Sequence, residues 1–135
     1  MHDTNKLTHL GFIQNIITRM GTNSFLIKAW SVTLVAALFT LASKDANKSF
    51  MVLAYFPVLF FWILDAYFFH QELLFRKLYE KVAIGEISSD EFTLKISNLK
   101  ADVPCMLDFI SARILCYFHA VIFLVVSFAM WQLAY

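Results

Sequence analysis

Apolar side chains run almost unbroken through residues 25–43, 49–69 and 114–135, and mixed segments separate the three runs. Each run is close to the ~20 residues that a helix needs to cross a hydrocarbon core ~30 Å thick. Residues 29–43 carry no charge, and residues 114–135 hold only His119 among the titratable side chains other than tyrosine and cysteine. Trp131 and Tyr135 end the third run, where interfacial aromatics belong. Pro57 lies early in the second run and predicts a bend, because proline removes a helical hydrogen bond. Ahead of the first run, Leu7, Leu10, Ile13, Ile17 and Met20 recur at helical spacing among Lys6, His9, Gln14 and Arg19. That pattern predicts an amphipathic helix of about 15 residues, too polar to span.

The second run does not stop where its apolar stretch stops. "FFWILDAYFFHQELLFRKLYEKVAIG", residues 60–85, turns charged at Asp65 and holds a helical period as far as Gly85, a natural C-terminal stop. Leu64, Phe68, Gln71, Phe75, Leu78 and Val82 alternate in steps of four and three, the spacing of a coiled-coil seam. Phe68, Gln71, Phe75, Leu78 and Val82 are therefore expected to form an oligomer seam, with Glu72, Arg76 and Glu80 as a charge ladder on the other side. A helix over residues 49–84 would be ~54 Å long and would leave about 20 Å outside the hydrocarbon. Ser88 and Glu91 match a capping box and predict a short helix presenting Phe92, Ile96 and Leu99. Asp102 and Pro104 read as the start of the last helix. The expected fold is an all-α membrane protein. It comprises an N-terminal amphipathic helix (1–24) and a three-span domain (25–135), with the second span extended into the cytoplasm and a cytoplasmic helical segment over 70–108.

Composition agrees with this reading. The chain has 135 residues, of which 60% are hydrophobic and 17% aromatic. A soluble domain would be roughly 45–50% apolar. Nine of the eleven lysines and arginines precede the first run, lie at its start (Lys28) or fall between the second and third, leaving Lys44 and Lys48 on the other side. The positive-inside rule then predicts a cytoplasmic N-terminus and an external C-terminus. Cys105 and Cys116 would be ~16 Å apart on one helix, too far for an internal disulfide, and are expected to be free thiols.

No catalytic motif or metal-ligand spacing stands out, so neither an enzyme nor a cofactor is expected. The candidate chemistry is electrostatic. Asp65 and Arg113 lie at matching edges of the second and third runs. They are either ordinary boundary charges or an ion pair joining two spans. His119 lies ~9 Å deeper than Arg113 and should avoid lipid, either bonded to a neighbouring helix or lining a pore. Residues 65–108 carry five basic and eight acidic side chains, a poor surface for an anion. Residues 1–28 carry Lys6, Arg19 and Lys28 against Asp3. If the protein binds nucleic acid, this N-terminal segment is thus the better place, provided several copies assemble into a ring. The same helix would equally suit an anionic lipid surface.

"KAWSVTLVAALFTLASK" (residues 28–44), "PVLFFWILDAYFFHQELLFRKLYEKV" (residues 57–82) and the lone C-terminal run together resemble a known family. It is that of the small membrane effectors of bacterial antiphage systems encoded beside a nucleotidyltransferase, the Hailong-type transmembrane effectors. The likeness is one of pattern over residues 25–82. It implies a homo-oligomer, a tetramer, that opens an ion-conducting path and depolarises the infected cell's membrane, an abortive-infection response. It also implies that single-stranded DNA oligomers made by the partner enzyme hold the effector inactive through its N-terminal region, where Lys6, His9 and Arg19 are the cationic side chains that could bind them. Two other functions fit the residues: an effector opened by a cyclic nucleotide, and a non-conducting structural subunit that docks a partner through the 68–82 seam.

Overall fold

The computed structural model describes residues 2–45, 48–110 and 113–134. Its helices are α1 (His2–Asp45), α2 (Lys48–Leu53), α3 (Tyr55–Ala83), α4 (Met106–Ile110) and α5 (Arg113–Ala134), with a single 3-10 turn at Ser97–Leu99. Among the described residues there is no strand. Three helices, α1, α3 and α5, are long and apolar enough to cross a membrane.

The first 24 residues are not a separate helix. α1 runs without interruption for 44 residues, or ~66 Å, because no proline falls within it. Its partner is α3, which lies antiparallel to it. Near the start of α1, Ile13 and Ile17 pack with Leu74, Leu78 and Val82 near the end of α3. Ser24 and Lys28 bond to Asp65 half-way along. Farther on, Val35 meets Ala54 and Val58. The buried positions on α1 include Ile13, Ile17, Ile27, Ser31, Val35 and Ala42. Their average spacing is close to that of a coiled-coil seam.

α5 packs along a different side of α3, again antiparallel. Tyr55 donates its hydroxyl to Ser127 Oγ (3.0 Å), Val58 packs on Val126, and Ala66 packs on Leu115. The flanks facing away from these seams are greasy. Phe25, Trp30, Phe56, Tyr117, Leu124, Phe128 and Trp131 are all exposed. In water that surface would carry a large penalty; in lipid it carries none.

Four local readings change. Residues 48–84 do not make one regular helix: α2 ends at Leu53 and α3 begins at Tyr55. Pro57 has no N–H to give the Leu53 carbonyl and its ring crowds that oxygen, so the break falls one turn before it. Ala54 keeps helical angles (φ −65, ψ −22), which makes this a lapse in hydrogen bonding rather than a corner. The helix expected from the Ser88–Glu91 box does not form. Ser88 Oγ accepts instead from the Asp90 backbone N–H and donates to the Asp90 carboxylate, closing a tight turn. Phe92 then adopts φ 47, which no right-handed helix tolerates, and its ring meets His9 and Phe12 of α1. The last helix starts later than Asp102. Asp108 reaches back to accept from the Cys105 backbone N–H (3.0 Å), capping α4, while Asp102 pairs with Lys81. In the charge ladder, Arg76 pairs with Glu72, but Glu80 turns to Lys77.

The oligomer seam is corrected by the same packing. Leu78 and Val82 are completely buried within the chain, and Phe75 packs against the same cluster. Phe68 and Gln71 are half-buried. The period of four and three is real, but its occupant at Phe75, Leu78 and Val82 is the chain's own α1.

Candidate functional site between the three long helices

Each long helix contributes a polar side chain to one buried cluster. Asp65 of α3 is fully buried although it is a carboxylate. Its Oδ2 accepts from Lys28 Nζ of α1 and lies 3.1 Å from His119 Nε2 of α5. Its Oδ1 accepts from the Ser24 hydroxyl, and Lys28 also donates to Ser24 Oγ (2.8 Å). Ser24 and Lys28 are four apart on α1, so both point at Asp65 from one face.

Aromatic rings enclose the cluster. Trp62, from the turn before Asp65, stacks on the His119 ring (centroids 5.9 Å apart, planes 10° apart). Phe118 meets the same ring edge-on at 5.1 Å, and its face lies 6.0 Å from Lys28 Nζ. The ammonium is thus attracted by a carboxylate and a ring quadrupole at once. A carboxylate facing Nε2 can only accept, so a neutral His119 carries its proton there. Nδ1 is buried and has no partner among the described residues; the same holds for Ser31 Oγ, one turn farther along α1.

Sequence reasoning singled out Asp65 and His119 but argued the inward turn for His119 alone; Asp65 reads there as either a boundary charge or an ion-pair partner of Arg113. Asp65 and His119 turn inward, away from the exposed flanks, as polar groups in a span should. The expected partner was different. Asp65 bonds Lys28, near the start of the first apolar run; the Arg113 side chain lies outside the described ones. Ser24, Ser31, Trp62 and Phe118 were missed. The i,i+4 spacing of Ser24 and Lys28 at the mouth of an apolar run was the available signal.

The nucleic-acid candidates separate. Arg19 is exposed on α1. Lys6 is half-buried in a groove that also contains Asp3 and Glu86, acids that would repel a phosphate. His9 is corrected outright: it is a core histidine with no exposed surface. Its Nε2–H donates to the Thr93 carbonyl (2.8 Å) and its Nδ1 lies 3.3 Å from the Ser89 hydroxyl. Both nitrogens are committed to pinning the segment after α3 onto α1, so neither is available to a ligand.

No group of three or more metal-ligating side chains occurs among the described residues. Cys105 and Cys116 are free thiols. The Lys28–Asp65–His119 cluster can therefore do two things chemically. It can hold three helices in register through charge-assisted bonds, and it can move a proton among a carboxylate, an imidazole and a hydroxyl. Comparison with protein-family models, with curated proteins and with solved structures finds no match to this chain.

Proposed function

We propose that this protein is a homo-oligomeric effector of the bacterial inner membrane, with its N-terminus in the cytoplasm, that conducts ions and depolarises the cell. The observation that carries the reading is the cluster itself. A carboxylate without exposed surface, paired with lysine and histidine between three span-length helices, is expensive to maintain and is a functional feature by default. The pattern resemblance over residues 25–82 supplies the context of antiphage defence. In this reading the resting state has Lys28, Asp65 and His119 joined, and conduction follows their rearrangement. An inhibitory single-stranded DNA oligomer would contact the cationic side chains of the N-terminal half of α1, Arg19 foremost and Lys6 after it.

The test is to express the chain alone and with its neighbouring nucleotidyltransferase while a voltage-sensitive dye reports membrane potential. Depolarisation by the chain alone, suppressed by the partner enzyme and restored by Lys6→Glu with Arg19→Glu, is the expected result. A chain that leaves the potential unchanged in both settings ends the proposal. A second reading, a non-conducting structural subunit, is favoured by one fact: Asp65 finds its partners within a single chain. It predicts that same silence.

A further inference from the structure

Lys28 and Val35 on α1, Asp65 and Val58 on α3, and His119 and Val126 on α5 are each seven residues apart. The three helices therefore bound a common layer ~10 Å thick. One side of it is closed by the bonded Lys28–Asp65–His119 cluster, the other by the packed side chains of Val35, Val58 and Val126. Ser31 lies on α1 between these two levels, and His119 stands at the level of the bonded cluster. Both Ser31 Oγ and His119 Nδ1 are buried without a partner among the described residues.

Neither orphan is the ordinary outcome. Thr8, Thr18, Thr22, Thr33 and Thr40 of α1 each donate their hydroxyl to the carbonyl four residues back. Ser31 on the same helix does not. His119 holds its protonated Nε2 toward Asp65, which leaves Nδ1 with a lone pair and no donor. Buried polar atoms are satisfied by protein or by bound water, and a site with several polar groups is where such water resides.

We propose that this layer binds water against Ser31 Oγ and His119 Nδ1, and that His119 is a proton-transfer site within the bundle, sealed on the far side by Val35, Val58 and Val126. The proposal rests on the membrane-effector reading only in setting the three helices across a bilayer. An excess proton arriving on the water of the layer as hydronium passes to Nδ1, forming an imidazolium and leaving neutral water. Loss of the Nε2 proton to Asp65 Oδ2 then carries one proton across the ring and leaves the Nδ1–H tautomer. Asp65 releases its proton past Ser24 and Lys28, the partly exposed side of the cluster; a turn of the ring then exchanges the sides that the two nitrogens face, and a second proton carried the same way returns the Nε2–H tautomer. Among the described residues, the charged groups at the ring are Asp65 and, through it, Lys28; Trp62 and Phe118 present only aromatic surfaces.

The experiment uses the full chain in liposomes with a pH-sensitive dye inside and a potassium diffusion potential as the driving force. Val35→Ser with Val58→Thr should wet the seal and raise proton flux by at least about tenfold over the unaltered chain. Adding His119→Gln should return the flux to the starting level. Glutamine keeps an N–H donor for Asp65 but has no ring to carry a proton. Flux from the opened variant that ignores His119→Gln, or no rise on opening, would overturn the transfer site. The unaltered chain gives an independent measurement, needed if the opened variant fails to fold. With 15N-labelled histidine, His119 Nδ1 should show magnetisation transfer to water, and Ser31→Ala should weaken it. A dry Nδ1 overturns the proposal even if the chain depolarises cells. A wet one upholds it even if cells stay polarised.

Discussion

Two histidines without exposed surface divide the α1–α3 hairpin into regions of different character. His9, in the polar half, spends both ring nitrogens, one on Thr93 and one on Ser89. His119, against the apolar half, spends one on Asp65 and leaves the other without a protein partner. The surroundings follow the same division. Around His9, the buried side chains of Ile13, Ile17, Leu74, Leu78, Val82 and Leu99 form an ordinary core. Around His119 stand a carboxylate, an ammonium and two aromatic rings. A completed hydrogen-bond set indicates a histidine that holds a fold together. An incomplete one beside a buried ion pair indicates a histidine with something left to bind.

Three substitutions test that contrast. Asp65→Leu should have the largest effect. It leaves the His119 Nε2–H without its acceptor and removes the lysine's counter-charge, and breaking such a buried pair costs about 3–5 kcal/mol. Thermal unfolding in detergent should fall accordingly, and a loss below 1 kcal/mol would make the cluster a bystander. His9→Ala comes next. It leaves the Thr93 carbonyl and the Ser89 hydroxyl to water or to nothing, at a cost of about 1–3 kcal/mol. Amide exchange should accelerate in residues 86–96 and in the first turns of α1, but not around Asp65. Exchange that quickens equally in both halves would mean that the hairpin unfolds as one unit.

The smallest effect concerns the end of the polar half. Asp102 lies 2.8 Å from Lys81, and that hydrogen bond holds its carboxyl below the usual carboxylate range. A carboxyl lowered in the folded state adds stability that is complete above its ordinary value and is lost as pH falls through the lowered one. Exchange in the segment carrying Asp102 should thus quicken as the solution is acidified below about pH 4. Asp102→Asn should remove that dependence and leave only a slight, salt-sensitive change at neutral pH, because both partners are open to solvent on one side. An acid dependence that persists in Asp102→Asn assigns it to another carboxylate.

Much of the fold was legible in the residues, and what was missed has one physical cause. Hydropathy and length identified three helices able to cross a membrane, because apolar runs near 20 residues have few other uses. The inward turn of His119 followed from the cost of exposing it to lipid, whereas Asp65 also read as an ordinary boundary charge. Periodicity also marked Leu78 and Val82 as seam positions. It did not reveal which helix fills the seam, since a heptad pattern records that a partner exists and not whose it is. The pairing of Lys28 with Asp65 was hidden for the same reason. So was Phe92: a local capping signal gave way to packing against His9 and Phe12, which lie about 80 residues earlier in the chain.

The uninterrupted course of α1 has a mechanical consequence. A helix of 44 residues tied near its middle by the charged Lys28, with apolar contacts to α3 along its arms, can tilt as a rod about that pivot when those contacts slide. One arm, from His2 to the pivot, is about 39 Å long, and the other, from the pivot to Asp45, about 26 Å. A sideways push on the long arm therefore swings the far tip the opposite way, through about two-thirds of the distance. With Asp65 and His119 at the fulcrum and Val35 on the short arm, a force applied at the polar end reaches the valine seal without any change in the helix itself.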